Sequence, residues 1–211
     1  FTTDTESRQL SKYTIANNEN RQYQMIELVG SPKYLSNLNT DTCSLFLTKN
    51  GRHLLISDKT GGINHYVMYE PFNLDLMHHK GLYGTGTFVA DNEAAGLTED
   101  GLNLFVVRVF DWNLYLRRYV LSEEFNLGSA SFAEEVLIES AQNYNHSIDI
   151  DETLGRIYIS CNGGYSYIFG FESMLDLSTI SPIPGKSSVG GYGAWAGFRE
   201  DGQTQNTYAD R

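Results

Sequence analysis

The sequence has few prolines, few cysteines and no long hydrophobic run. Its 211 residues include four prolines and two cysteines, Cys43 and Cys161. A transmembrane helix needs about 20 consecutive apolar residues, and no stretch of this chain approaches that length. We expect both thiols to be free and buried, with a disulfide between them as the alternative. The first residue is Phe1 rather than Met, which indicates a processed chain or one segment of a longer protein.

Basic residues are also scarce, since 15 lysines and arginines stand against 26 acidic residues and give a net charge of −11. Proteins that bind nucleic acids neutralise phosphates with basic side chains, so this balance argues against a nucleic-acid partner. The acidic residues are spread along the chain, a pattern that is typical of a soluble surface.

Aromatic residues and glycine are abundant, with 14 Tyr, 11 Phe and 20 Gly. This composition favours short strands joined by many turns. A strand–turn–strand unit recurs, and its clearest copy is built around Asp100-Gly101, a pair suited to a hairpin turn. Turn glycines at positions 51, 101, 155 and 202 are separated by 50, 54 and 47 residues. Repeats of that length made only of strands are typical of β-propeller blades.

A second marker repeats with nearly the same period. Phe72-Asn73-Leu74 recurs as Phe125-Asn126-Leu127, and Leu175-Asp176-Leu177-Ser178-Thr179 takes that place in the third unit. The sequence therefore predicts an all-β fold, a β-propeller of four blades with four antiparallel strands each. The single propeller domain of residues 1–211 has its blades at about 43–90, 94–140, 147–190, and 194–211 completed by 10–30. The N-terminal pair of strands would complete the C-terminal half-blade and so hide the sheet edges. A slice of a larger ring is the alternative.

These repeats resemble those of virion proteins of tailed bacteriophages, and related repeats occur in some bacterial surface proteins. The residues that carry the resemblance are Thr98 to Val106, Arg118 to Leu121 with Phe125-Asn126-Leu127, and Phe171 with Leu175 to Thr179. The third turn departs from the pattern because it lacks the Asp-Gly pair. The resemblance implies a tail, fibre or decoration component that binds a host surface or neighbouring virion proteins.

No catalytic constellation is visible in the linear sequence, so we predict that the chain is not an enzyme. Asp149-Ile150-Asp151-Glu152-Thr153 lies in the turn register and lacks the glycine and the distal Glu of a calcium loop. The histidines have neither a helical two-histidine spacing nor a cysteine pair beside them, and we expect solvated or hydrogen-bonded roles. They are His53, His65, His78, His79 and His146. We predict no metal and no cofactor.

The loops that join second to third strands, together with the connections between blades, would share one face of a propeller. Aromatic rings beside Asn and Asp on such a face can stack on sugars or anchor a protein. The candidate binding residues are Asp58, Asp111, Trp112, Asn113, Tyr144, Asn162, Tyr165, Tyr192 and Trp195. The alternative for the two tryptophans is packing between blades.

The sequence thus predicts a non-enzymatic binding or assembly module, on a virion or in another extracellular setting. Its expected partners are other virion or surface proteins and host glycans, with no nucleic acid and no membrane insertion, and self-association is a further option. One alternative is a secreted carbohydrate-binding propeller, a lectin or a glycosidase, with Asp58, Asp91 and Asp111 as the loop acids. The other is a purely structural subunit of a filament or capsid.

Overall fold

The structure is a computed structural model, and it describes residues 2–4, 8–16, 25–37, 42–58, 62–84, 92–111, 113–140, 146–161, 166–170 and 176–182. Nearly all regular structure in this part of the chain is antiparallel β-sheet, which confirms the all-β prediction. None of the described helices is long and apolar enough to cross a membrane.

Five short strands come first in the chain and form two small sheets. They are β1 (Thr2–Asp4), β2 (Gln9–Ser11), β3 (Tyr13–Ala16), β4 (Met25–Leu28) and β5 (Lys33–Tyr34). Strands β1, β2 and β5 form one sheet, and β3 pairs with β4 in the other. Residues 10–15 alternate in a pattern that predicts one continuous strand, and this prediction is wrong because the segment is divided between β2 and β3. The chain divides at Lys12, whose carbonyl accepts a hydrogen bond from the Val29 amide, and its two halves join different sheets.

Three four-stranded sheets follow, and each is a meander of strands that are consecutive in the sequence. The first sheet contains β6 (Thr42–Leu47), β7 (His53–Asp58), β8 (Ile63–Met68) and β9 (Met77–Tyr83). The second contains β10 (Asn92–Leu97), β11 (Asn103–Phe110), β12 (Asn113–Leu121) and β13 (Ala130–Ser140). The third contains β14 (His146–Asp151), β15 (Arg156–Cys161), β16 (Ser166–Gly170) and β17 (Ser181–Pro182).

The turn between first and second strands has the same hydrogen bonds in the first two sheets. The Thr98 hydroxyl donates to Asp100 Oδ1 at 2.6 Å and accepts from the Asn103 amide at 3.0 Å. In the first sheet, the Thr48 hydroxyl likewise donates to Asn50 Oδ1 at 2.7 Å and accepts from the His53 amide at 3.0 Å. A short polar side chain at each of these positions can satisfy turn amides that no strand partner reaches. The repeated sequence therefore produces a repeated structure.

The Phe-Asn-Leu marker begins a single-turn 3-10 helix between the third and fourth strands. In the described part of the chain these helices are Leu74–Leu76, Leu127–Ser129 and Leu177–Thr179. Asn126 caps the second of them by accepting a hydrogen bond from the Gly128 amide at 3.1 Å. Asn73 and Asp176 do the same for the other two, at 3.0 and 2.9 Å. The predicted equivalence of Asp176 with the two asparagines is confirmed.

The first strands of the three sheets pack against one another. A Cβ on Gly96 would come within 3.1 Å of both Phe46 and Ile150, so side chains from β6 and β14 meet at the backbone of β10. Phe46 and Ile150 are buried in the core cluster that extends through the second sheet. Beyond this contact, at the turns, Lys49 forms ion pairs with Glu99 at 3.1 Å and with Asp151 at 3.7 Å.

The N-terminal strands contact the first sheet. Leu10 and Leu35 are buried in the same cluster as Leu54 and Met68 of that sheet. The predicted partner of these strands, residues 194–211, lies outside the described part of the chain, and closure across the termini stays a prediction. The domain boundaries proposed from the sequence likewise stay predictions.

Candidate functional site

Two buried charged residues occupy the same position in the first and second sheets. Asp58 lies five residues after His53 at the end of β7, and Arg108 lies five residues after Asn103 near the end of β11. Their relative exposures are 4% and 8%. Charged side chains are rarely buried to this extent without a specific role or partner, so this end of the sheets is the candidate site. We call it the loop end. There the second strand of each sheet ends, and the loop to the third strand begins.

A β-bulge accompanies each of the two residues. Thr42 pairs with Asp58 in register, and the register then shifts between Thr42 and Ser44. Asn92 pairs with Arg108, with the same shift between Asn92 and Ala94. Bulges are frequent beside functional sites because they change the direction of neighbouring side chains.

Asp58 is held by the loop that follows it. Its backbone amide donates to the Gly62 carbonyl at 2.9 Å, and the Gly62 amide donates to Asp58 Oδ1 at 3.0 Å. The sequence predicts Asp58 among the binding residues of the loop face. The structure puts Asp58 at the loop end of the first sheet, but its carboxylate accepts a loop amide and its side chain is buried. Its role in binding stays a prediction.

Arg108 is the residue that the sequence analysis missed. Its guanidinium carbon lies 4.2 Å from the ring centroid of Phe110, a cation–π arrangement. The buried Nε of Arg108 has no hydrogen-bond partner among the described residues. The sequence did contain a sign of this site, since Arg108 interrupts the otherwise apolar run from Leu104 to Phe110.

Asp111 and Asn113, two other predicted binding residues, form the hairpin between β11 and β12. Asp111 is exposed and adopts a φ of 49°, and its carbonyl accepts a hydrogen bond from Asn113 Nδ2 at 3.0 Å. These contacts stabilise a tight turn. The other six predicted binding residues lie outside the described residues: Trp112, Tyr144, Asn162, Tyr165, Tyr192 and Trp195.

The third sheet carries Cys161 at the backbone position that corresponds to Asp58 and Arg108, where it pairs in register with His146. Cys43 lies in the first-sheet bulge between Thr42 and Ser44. The side chains of both cysteines lie outside the described part of the chain. The free thiols and the alternative disulfide therefore both stay predictions. Within the described residues, no group of three or more His, Cys, Asp or Glu side chains could hold a metal ion.

No family model matches the chain, and no curated protein matches it. Its fold is similar to the crystal structure of a protein from Bacteroides uniformis that is provisionally named a 6-phosphogluconolactonase. The TM-score is 0.52 and the sequence identity is 11%, over 94% of this chain and 60% of the other. The chain thus spans about 60% of the length of that protein.

This likeness contradicts the prediction of a non-enzymatic virion module, because the matched fold belongs to a protein that is named as an enzyme. The same finding stands against the prediction that the chain is not an enzyme, since the protein with the matched fold is named as one. That prediction relied on the absence of a local motif, but catalytic groups in a β-sheet fold come from separate strands and leave no such motif. The resemblance to phage repeats and the virion or extracellular location stay predictions.

Proposed function

We propose that the chain forms a four-bladed β-propeller and acts as a hydrolytic enzyme on a small anionic sugar derivative of the lactone class. The single observation that carries the proposed site is the buried Arg108, whose Nε lacks a partner among the described residues. The choice of reaction comes from the name of the Bacteroides uniformis protein. Asp58 and Arg108 at the loop end are the proposed functional residues.

The propeller arrangement is supported by a contact that recurs between neighbouring sheets. Lys80 of β9 donates from Nζ to the Phe125 carbonyl of the second sheet at 2.9 Å. Lys12, between β2 and β3, donates to the equivalent Phe72 carbonyl of the first sheet at 3.0 Å. The N-terminal strands therefore contact the first sheet through the same lysine-to-carbonyl hydrogen bond by which β9 contacts the second sheet. In a closed ring they would be the outer strands of the fourth blade.

Arg108 is suited to hold an anionic group. A buried guanidinium donor without an acceptor is costly, and a phosphate or carboxylate on the substrate would supply that acceptor. Guanidinium groups also bind such anions through paired hydrogen bonds, which fix the orientation of the ligand. Phe110 beside it offers an apolar surface for the sugar carbons.

Asp58 is the proposed general base. It would take a proton from the water that attacks the lactone carbonyl. The bond between the carbonyl carbon and the ring oxygen then breaks, and the leaving oxygen regains the proton. The product is the open-chain hydroxy acid, so one lactone and one water are consumed for each acid formed. General-base catalysis of this kind contributes about 10²- to 10⁴-fold to a rate.

The test measures the hydrolysis of a panel of five- and six-membered aldonolactones, each with and without a phosphate. The release of acid reports the reaction. We expect Asp58→Asn to lower kcat by about 100-fold or more. Arg108→Met should raise KM for phosphorylated lactones by roughly 10- to 100-fold and leave neutral ones nearly unchanged. Lys49→Met, at the opposite end of the sheets, is the control and should change neither constant.

Absence of hydrolysis across the panel by the folded wild-type chain would contradict the reaction. Equal kinetics of wild type and Arg108→Met on phosphorylated lactones would contradict the site. Urea unfolding of each variant separates a loss of activity from a loss of fold. A thermal shift of the wild type by inorganic phosphate, absent in Arg108→Met, tests the anion site without any reaction.

A further inference from the structure

A pair of histidines lies at the boundary between the first and second sheets, away from the loop end. His53 Nδ1 and His65 Nε2 are 3.1 Å apart, close enough for one hydrogen bond between the rings. His65 is fully buried and His53 is half-buried. The sequence predicts solvated or hydrogen-bonded histidines, and these two are hydrogen-bonded to each other.

The pair is covered by the second sheet. The His53 ring stacks on the Phe125 ring with centroids 3.9 Å apart and an interplanar angle of 5°. Phe125 belongs to the connection between β12 and β13, and its carbonyl accepts from Lys80 of the first sheet at 2.9 Å. Two contacts between the sheets therefore meet at one residue.

The hydrogen bond between the rings depends on their protonation. One nitrogen must donate and the other must accept, so at least one of the facing nitrogens has to lack a proton. If both rings are protonated, two N–H groups and two positive charges face each other at this distance. The His65 Nδ1 atom has no hydrogen-bond partner among the described residues that could stabilise an additional proton.

The charges around the pair also oppose protonation. Burial, followed by the positive charges of Lys80 and Arg52, lowers the pKa of His53 to about 4. Burial, followed by His53, Lys80, His79 and His78, lowers the pKa of His65 to about 3. Tyr83, whose ring centroid is 6.4 Å from that of His65, also faces the pair. The acids of the covering connection, Glu123 and Glu124, are exposed, and Glu123 accepts a hydrogen bond from Asn126.

The second sheet has a different pair at the same position. Asn103 and Arg118 take the places of His53 and His65, and Arg118 Nη1 donates to Asn103 Oδ1 at 3.1 Å. The Arg118 Nε donates to Glu134 at 2.5 Å, so a permanent charge there has an acidic partner. An arginine stays protonated throughout the accessible pH range. Only the first of the two equivalent pairs can therefore change its charge between neutral and mildly acidic pH.

We propose that the His53–His65 pair is an acid-sensitive contact, and that its protonation separates His53 from Phe125 and opens the boundary between the first and second sheets. The unfolded chain binds protons at a histidine pKa of about 6.5, while the folded chain does so only near the lowered values. Below pH 6.5 the unfolded or opened state therefore binds more protons. Stability is fully present above that pH and falls as the pH falls toward 4.

The first test is urea unfolding of the wild type at pH values from 7.5 to 4.5. Each histidine of the pair should change the unfolding equilibrium constant by about tenfold per pH unit below 6, or about 100-fold for both. The double variant His53→Phe with His65→Leu keeps the stack on Phe125 and should lose this slope. The control is His78→Gln, at an exposed histidine of β9 whose ring stacks on Tyr69, and it should keep the slope.

The second measurement needs no variant and so does not depend on the double variant folding. Histidine ring signals in NMR should include two that do not titrate above pH 5. Hydrogen exchange at pH 5 should be faster in the 121–126 connection than in the 45–47 inner strand. The proposal would be overturned if the rings of His53 and His65 titrated near pH 6.5 in the folded protein. It would also be overturned if the unfolding equilibrium constant had the same pH slope in the double variant and in the wild type.

Discussion

The ring of Phe125 lies against the backbone of Gly101, so closely that a Cβ on this glycine would come within 2.6 Å of the ring. The Phe125 amide donates to the Gly101 carbonyl at 2.9 Å, which fixes the ring over the turn. Gly101 also has a φ of +70°, a conformation that favours glycine. Phe72 and Gly51 form the same contact in the first sheet.

We therefore expect Gly101→Ala to destabilise the fold by roughly 2–4 kcal/mol. The left-handed conformation costs about 1–2 kcal/mol for a residue with a Cβ, and displacement of the ring adds about 1–2 kcal/mol. The matched control is Gly30→Ala, because Gly30 has a φ of +72° but no atom within 4 Å of an added Cβ. Urea unfolding measures both. Equal losses in the two variants would mean that Phe125 contributes nothing.

Glu134 joins the second sheet to the third. Its Oε1 accepts from Arg118 Nε at 2.5 Å, and its Oε2 accepts from the Leu177 amide at 3.0 Å. Glu135 pairs with Arg117 through a single oxygen. Because glutamine retains one carbonyl oxygen, Glu134→Gln should cost about 1–3 kcal/mol and Glu135→Gln less than about 1 kcal/mol. Thermal unfolding of the two variants side by side checks this order, and the reverse order would contradict it.

Lys49 links the turns of three sheets by ion pairs with Glu99 and Asp151. The hydrogen bond that Lys49 donates to Glu99 raises the pKa of this lysine, so it remains charged at neutral pH. Half of its side chain is exposed, and exposed pairs contribute little. We expect Lys49→Met to cost about 0.2–1 kcal/mol in low salt and almost nothing in 1 M salt, where screening acts over about 3 Å. Unfolding curves of both proteins at the two ionic strengths measure this difference. A loss of unfolding free energy that persists in high salt would be inconsistent with an ionic contribution.

The cap residue Asn126 should tolerate replacement by aspartate but not by alanine. Asp176 already performs this role in the third sheet, accepting from the Ser178 amide at 2.9 Å. The hydrogen bonds from Ser178 lower the pKa of Asp176, which keeps the carboxylate ionised as an acceptor. We expect Asn126→Ala to lose about 1 kcal/mol and Asn126→Asp to lose less than half of that. Equal denaturation midpoints for both variants would show that the cap adds no stability.

Local chemistry explains what the sequence could predict. The Thr48 and Thr98 turns and the caps at Asn73 and Asn126 use side chains within a few residues of the amides that they satisfy. Such contacts leave a pattern in the chain, so the repeated turns and caps could be predicted from the sequence. The division of the N-terminal segment at Lys12 could not be predicted in this way, because it depends on a distant amide, that of Val29.

The candidate site was harder to predict for the same physical reason. Aromatic and polar side chains on loops often bind ligands, so the sequence favours loop residues as candidates. Asp58 turned out to be buried against its own loop, and Arg108 was overlooked within an apolar strand. Their equivalence becomes visible only after the two sheets are aligned by register. The sequence likewise does not predict the contact between Phe125 and Gly101, although each residue belongs to a repeated marker.

The packing of Phe46 and Ile150 on Gly96 limits what position 96 can hold. A Cβ there would come within 3.1 Å of both side chains, and both are buried in the core. Alanine at position 96 would therefore force side chains of two neighbouring sheets to shift at once, so the junction of the three first strands tolerates no enlargement at its centre.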